Sequence, residues 1–246
     1  MRNKSTRRSP WPRRAPVVIA HRGASGLAPE NTIEAFELAL ARGARVIEFD
    51  VHQTRDRRPV VVHDASLQRT AGVRKAVERL TQREAAALDV GSWFAPAYRH
   101  ARIPTLARVL RALKGRAILN IELKAGLRRL HPGLEARVLA LVIRSGWRDR
   151  VVVSSFHVRY LERLRRLDAA IAIGILVHPW SIDTALARAA RLDAVSIHPP
   201  ARVVTKDLVG RLHDAGYAVL PYTVDRTADK HRLTRLGADG FFTNLP

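Results

Sequence analysis

The 246-residue chain has no cysteine, one methionine, and only four tryptophans, four tyrosines and six phenylalanines. Without cysteine there is no disulfide framework, thiolate nucleophile, zinc finger or iron-sulfur cluster, and any metal must sit on oxygen or imidazole ligands. Long apolar runs are missing as well: none approaches the roughly 18 residues of a membrane-spanning helix. The apolar start at Ala15 to Ala20 contains Pro16 and is interrupted by His21 and Arg22, so it does not read as a signal peptide. A soluble, cytoplasmic protein with no integral membrane segment is expected. Acid is scarce too, with 22 acidic against 43 basic residues and a formal net charge of +21. Only six of the basic residues are lysine, a bias that, with abundant alanine and leucine, fits a GC-rich coding sequence. Such a field attracts anionic partners and speeds encounter without deciding chemistry. The few aromatic residues are not interleaved with a basic strand face, and runs such as Arg159 to Arg166 fit a solvated helix face, so no nucleic-acid partner is expected.

What is present is an alternation. Short β-branched runs at Val17 to Ala20, Val46 to Val51, Ala117 to Leu123, Val151 to Ser154, Ile171 to Leu176, Ala194 to Ile197, Ala218 to Tyr222 and Gly240 to Thr243 are separated by amphipathic segments. Asn31 or Thr32 caps one such segment, Gly43 ends it, and Thr105 precedes Leu106, Val109, Leu110 and Leu113 at helical spacing. Eight strands with crossover helices in this length predict an α/β fold, a (β/α)8 TIM-type barrel, with a doubly wound open sheet as the alternative. Residues 52–103 are too long for one crossover. They are expected to form an insertion after the second strand, with a short helix capped by Thr81 and Glu84 and an aromatic loop, Gly91 to Tyr98, over the barrel mouth. Residues 1–14 are expected to be a disordered basic arm, and residues 15–246 the barrel.

Period-two alternation puts Ile47, Phe49 and Val51 toward the helices, which turns Glu48 and Asp50 into the barrel. In the same way Leu119, Ile121 and Leu123 face out while Asn120, Glu122 and Lys124 face in. Unpaired carboxylates there cost several kcal/mol. Three of them near adjacent strand ends make an oxygen-rich divalent site suited to Mg2+ or Ca2+. The bland alternative is a salt-bridge network with Lys124 and arginines. His21 and Arg22 end the first strand, and His63 and Asp64 end the run Val60 to Val62. Two imidazoles beside a metal can act as acid and base near neutral pH.

His21-Arg22-Gly23, Ala28-Pro29-Glu30-Asn31-Thr32, Glu48-Phe49-Asp50, His63-Asp64 with Leu67, Arg69 and Thr70, and Ile121-Glu122-Leu123-Lys124 resemble, in this order and spacing, the signature of glycerophosphodiester phosphodiesterases. Pro221 to Val224 and Phe242 to Pro246 resemble that family's last two strand ends. The resemblance implies a distorted (β/α)8 barrel and one divalent cation held by Glu48, Asp50 and Glu122. It further implies His21 and His63 as acid and base, and Arg22 and Lys124 on the phosphate. The expected reaction is hydrolysis of a small-molecule glycerophosphodiester to sn-glycerol 3-phosphate and an alcohol, with His63 the base and His21 the acid. Lysophospholipase D action is the alternative, in which an acyl chain would meet Trp93, Phe94 and Tyr98. Three features depart from the family pattern and touch the wall for the substrate's alcohol part: Tyr222 where a tryptophan is usual, Asn244 where an aspartate is usual, and a displaced glycine, since Arg69 and Thr70 run into Ala71 and Gly72. Tyr222, Trp93 and Phe94 are expected as the wall for the substrate's alcohol part; Ser154, His157, His178 and His198 lie at or just beyond strand ends and are expected in structural roles, with His198, before Pro199, the one placed to approach the site.

Overall fold

A computed structural model describes residues 9–12 and 16–246. The chain runs β1 (Val17–Ala20), α1 (Ile33–Ala41), β2 (Val46–Gln53), β3 (Pro59–Val61), α2 (Gln68–Ala71), α3 (Gln82–Ala87), α4 (Leu106–Ala112), β4 (Ile118–Leu123), α5 (Leu134–Arg144) and β5 (Val151–Ser155). It continues through α6 (Val158–Leu167), β6 (Ala172–Leu176), α7 (Ala185–Leu192), β7 (Ser196–His198), α8 (Lys206–Asp214), β8 (Ala218–Val219), α9 (Thr227–Arg235) and β9 (Gly240–Thr243). Strands pair in the order β8-β7-β6-β5-β4-β2-β1-β9, all parallel, and only β3 lies off this path, antiparallel to β2. The end strands β8 and β9 approach each other through the Asp239 amide on the Val219 carbonyl at 3.0 Å and the Phe242 amide on the Pro221 carbonyl at 2.9 Å. The result is a nearly closed barrel, which settles the choice against an open sheet. No helix among the described residues is long and apolar enough to cross a membrane.

Local chemistry explains the elements. Thr32, Thr81, Thr105 and Thr205 each accept a hydrogen bond from the third backbone amide of the helix they precede, and Thr81 with Glu84 forms the full capping box. β8 is shorter than expected, with only Ala218–Val219 in continuous register with β7, although the Leu220 and Tyr222 amides still bond the Ile197 and Pro199 carbonyls. Two apolar layers divide the buried side chains by strand face. Ile47, Phe49, Val51, Leu119, Ile121 and Leu123 pack outward among the helices. Val17, Ile19, Val46, Val152, Val195, Leu220 and Phe242 fill the interior toward the amino ends of the strands.

Residues 1–8, 13 and 14 of the expected basic arm, and residue 15 of the expected barrel, lie outside the described residues. Within 9–12, Trp11 departs from the expectation of a loose arm. It is 7% exposed, packs with the interior layer, and meets the His198 ring edge-on at 6.1 Å between centroids. The insertion builds its own small core from Val60, Val62, Leu67, Val77, Leu80, Ala85, Val90 and Ile103. β2 runs on to Gln53 before the chain turns back through β3, with His52 opposite Val60.

Candidate active site

The register places Glu48 beside Asn120 and Asp50 beside Glu122, so the alternation of two adjacent parallel strands delivers three carboxylates to one level of the barrel. Glu48, Asp50 and Glu122 are buried, and one oxygen from each lies within 4.8 Å of the others. The β1 end closes over them. Arg22 sits in the left-handed region at φ 58, a conformation that costs a non-glycine residue about 1–3 kcal/mol, and so turns its backbone amide onto Glu48 Oε2 at 2.9 Å. Its guanidinium reaches Asp50 Oδ2 at 3.3 Å and Glu30 at 3.1 Å. Gly23 follows at φ 82, where a Cβ would stand 2.7 Å from the Ala35 backbone, so only glycine lets the turn rest on α1. Asn31, also left-handed, donates to Asp50 Oδ2 at 2.8 Å and accepts from the Asp50 amide at 3.1 Å, which fixes that carboxylate from both ends.

Two cations sit among these anions. Lys124 Nζ lies 2.8 Å from Glu122 Oε1 and 3.4 Å from Asp50 Oδ1. Against the cost of burial, Lys124 and Arg22 hold Asp50 well below the usual carboxylate range, while Asp50 and Glu122 keep Lys124 protonated. Burial and then the neighbouring Asp50 and Glu122 push Glu48 well above its ordinary value, and burial pushes Glu122 up to about 7 against the pull of Lys124. A salt-bridge network is therefore part of the site, yet it leaves two buried oxygens, Glu48 Oε1 and Asp50 Oδ1, without a hydrogen-bond partner. Crowded carboxylates with orphaned oxygens and an all-oxygen donor set suit a hard divalent cation.

The histidines are positioned by different devices. His21 Nδ1 donates to Asn244 Oδ1 at 2.7 Å, Asn244 donates in turn to Asp225 at 2.8 Å, and His21 Nε2 is left facing Glu48 Oε2 at 4.0 Å. Burial and the Arg22 charge lower the His21 pKa to about 4. His63 Nδ1 donates to Asp64 at 2.6 Å, and Arg69 clamps Asp64 at 2.7 Å while its other nitrogens hold Glu30. Burial lowers His63 as well, opposed by Asp50. Beneath the loop, His52 Nε2 donates to the His63 carbonyl at 3.0 Å and His52 Nδ1 pairs with His131 Nε2 at 2.9 Å.

His21, Arg22, Glu48, His63, Glu122, Lys124 and Tyr222 line one cavity of about 240 Å³, with Phe156, Leu176 and Phe242 as its apolar side. Asp50 lies just beneath. Two expectations need correction, those for Trp93 with Phe94 and for Asn244, while His198 takes the structural role expected of it. Trp93 and Phe94 do not line this cavity, because their loop curls on itself: the Phe94 amide bonds the Gly91 carbonyl at 2.9 Å, Trp93 and Phe94 meet edge-on at 5.8 Å, and Arg69 covers the Trp93 ring at 5.6 Å. His198 is drawn into the interior, bonded to Ser196 Oγ at 2.8 Å and packed on Trp11. Asn244, flagged only as a departure near the alcohol wall, instead orients His21. Phe156 was not anticipated; its position directly after the β5 end was the available signal.

An anionic ligand is what such a cavity can hold between its own cations, and on a parallel barrel it defines an enzyme acting on phosphate esters. The chain belongs to the glycerophosphoryl diester phosphodiesterase family, whose model matches residues 21–246. It is 36% identical over 236 residues, 94% of each chain, to the glycerophosphodiester phosphodiesterase of Caldanaerobacter subterraneus subsp. tengcongensis. It is 35% identical over 237 residues to that of Bacillus altitudinis, covering 93% of this chain and 94% of the relative. Among solved structures, a phosphodiesterase of Oleispira antarctica in complex with its product sn-glycerol-3-phosphate superposes with a TM-score of 0.82 at 31% identity, covering 94% of each chain. A glycerophosphodiester phosphodiesterase of Agrobacterium tumefaciens superposes at 0.80 with 28% identity, covering 92% of this chain and 95% of that one.

Proposed function

We propose that the chain hydrolyses glycerophosphodiesters such as glycerophosphocholine and glycerophosphoethanolamine to sn-glycerol 3-phosphate and an alcohol. The carrying observation is the three-carboxylate cluster itself, with Glu48 Oε1 buried without a hydrogen-bond partner and two histidines, Arg22 and Lys124 around it. Glu48, Asp50 and Glu122 would hold one Mg2+ or Ca2+. Bound there, the cation supplies Lewis-acid neutralisation of phosphate charge.

The protein's own groups do the rest. Arg22 and Lys124 bind the phosphate oxygens and stabilise the charge that grows on them as the phosphorus is attacked. His63 takes the proton of the attacking hydroxyl, which is either that of water, giving sn-glycerol 3-phosphate directly, or that of the adjacent glycerol carbon, giving a cyclic phosphate that water opens in a second step with the two histidines exchanging roles. Its Nδ1–H on Asp64 leaves Nε2 as acceptor, and Asp64 stabilises the imidazolium that forms. The bond from phosphorus to the alcohol oxygen breaks, and His21 delivers a proton to that oxygen. The Asn244 bond directs His21 Nε2, the atom that carries this proton, toward Glu48 and the cavity. The pKa of His21, low in the free site, rises when an anionic phosphate binds beside it, so that it is charged at the moment of transfer. Tyr222 and Phe156, edge-on at 5.8 Å, form the wall for the alcohol part.

The test is release of sn-glycerol 3-phosphate from glycerophosphocholine, with and without chelator, by the wild type and His21→Ala. Chelator-sensitive release that falls at least a hundredfold in His21→Ala is expected. Chelator-resistant release, or equal rates in the variant, contradicts the reading. Comparing glycerophosphocholine with lysophosphatidylcholine measures what an acyl chain on the glycerol costs or gains.

A further inference from the structure

Seven large apolar residues among the described ones are exposed, and five of them, Leu27, Trp93, Leu127, Trp180 and Leu245, lie on connections at the carboxyl end of the barrel, the end that carries the site. Trp180 is 80% exposed and Leu127 61%, degrees of exposure that water alone does not favour. Trp180 is nonetheless held in place: its ring stacks on His178 at 4.6 Å, and His178 stacks on Phe156 at 4.4 Å.

Phe156 is also the boundary of a second, larger cavity of about 560 Å³, lined by His157, Arg159, Glu162, Arg188 and Arg191. Its one carboxylate is already spent, since Arg191 pairs with Glu162 at 2.5 Å. Arg159 and Arg188 form no salt bridge among the described residues, and the Arg188 charge reaches as far as His178. The amino end of α6 opens here with His157 at its cap position and no side chain bonded to its free amides. Arg128 and Arg129 stand exposed beside Leu127.

A basic cavity that shares Phe156 with the ring stack ending in exposed Trp180, and Leu130 with the loop that carries exposed Leu127, has the build of an interfacial lipid site, in which cations meet head groups while apolar side chains enter the acyl boundary. We propose that this rim docks on an anionic bilayer surface: Arg159 and Arg188 take the phosphate of an anionic phospholipid head group, and Trp180 and Leu127 insert beside it. The net charge of +21 favours that occupant over a zwitterionic one. The proposal goes beyond the hydrolytic reading and does not depend on it, because docking is read without turnover.

The four tryptophans make the test direct. Trp11 and Trp147 are buried, so a change in emission reports Trp93 and Trp180. The full chain is mixed with phosphatidylcholine vesicles, with and without one-third phosphatidylglycerol, at physiological ionic strength, and co-sedimentation and emission are recorded. Binding and a blue shift only with phosphatidylglycerol are expected. At roughly fivefold per arginine near the surface, Arg159→Ala with Arg188→Ala weakens binding about 25-fold. Trp180→Ala weakens it further and removes most of the blue shift, while Trp180→Phe retains binding. Arg144→Ala with Arg166→Ala, which removes the same charge from helix ends on the opposite face, changes binding less than about threefold. No co-sedimentation with phosphatidylglycerol, an equal loss in the Arg144 and Arg166 pair, binding without an emission shift, or release of the protein by soluble glycerophosphoglycerol at comparable concentration would each overturn the proposal.

Discussion

The two ends of the barrel interior come from the same strands and obey opposite rules. At the amino end, Val17, Ile19, Val46, Val152, Val195 and Leu220 pack with Trp11 into a floor whose polar groups are few. Two residues further along β2, and one level up on β4, the inward positions become Glu48, Asp50 and Glu122, which repel one another and leave oxygens unsatisfied. Alternation alone puts all of them inward; what differs is the side chain the sequence places there. The floor contributes stability through burial, and the upper level gives some of it up for a carboxylate cluster that could hold a metal ion.

Changes at the two levels should therefore separate activity from stability. The largest effect is expected for Glu48→Gln, which keeps the shape and removes the charge. It should lower kcat/KM by about a thousandfold or more while leaving the metal-free Tm unchanged or higher, because one member of a repelling buried cluster is gone. A metal-free Tm several degrees lower would mean the cluster is structural. Trp11→Ala is the mirror experiment. Truncating a large buried aromatic costs roughly 3–5 kcal/mol, and kcat/KM for the folded fraction should stay within about threefold. Denaturant unfolding with a parallel activity assay checks both halves.

How these levels could be read in advance differs as well. The strands, their outward and inward faces, the three carboxylates and the capping threonines were all legible, because each is a pattern of period two or a signal within four residues. The floor was not. Trp11 meets His198 across the length of the chain, and nothing near Trp11 distinguishes it from the basic residues around it. The same holds for Asn244 on His21 and for His131 on His52, partners that only barrel closure or the insertion's return brings together. The aromatic loop failed for the opposite reason: Trp93, Phe94 and Tyr98 satisfy one another locally, edge-on at 5.8 and 5.7 Å, and so do not reach the cavity.

Two smaller effects sharpen the contrast. His52, His131 and His198 are held neutral by burial, with pKa values lowered to about 3, 4 and 3. Since the unfolded chain takes up these protons near pH 6.5 and the folded chain does not, stability is complete above that pH and falls as pH drops from 6.5 toward 4. Each group contributes up to about 1.4 kcal/mol per pH unit in that window. His21, lowered to about 4, adds to this slope and Glu122, raised to about 7, opposes it; His198→Asn should remove one histidine's share, read by thermal unfolding across the window, and an unchanged slope would mean His198 is already protonated. Smallest of all, Asn244→Asp puts a carboxylate on His21 Nδ1. It should raise the pKa of that imidazole and move the acid limb of the kcat/KM profile upward by about one pH unit, with some loss of Tm because the donor to Asp225 becomes a second carboxylate. A limb that stays in place would assign it to another group.

The most direct measurement is the shift in Tm on adding Mg2+ or Ca2+ to the metal-free protein, for the wild type and Glu48→Gln side by side. A cation that binds only the folded cluster raises Tm with concentration. The wild type is expected to gain several degrees and Glu48→Gln little or nothing; equal shifts in the two proteins, or none in the wild type, would contradict a cation held by Glu48, Asp50 and Glu122.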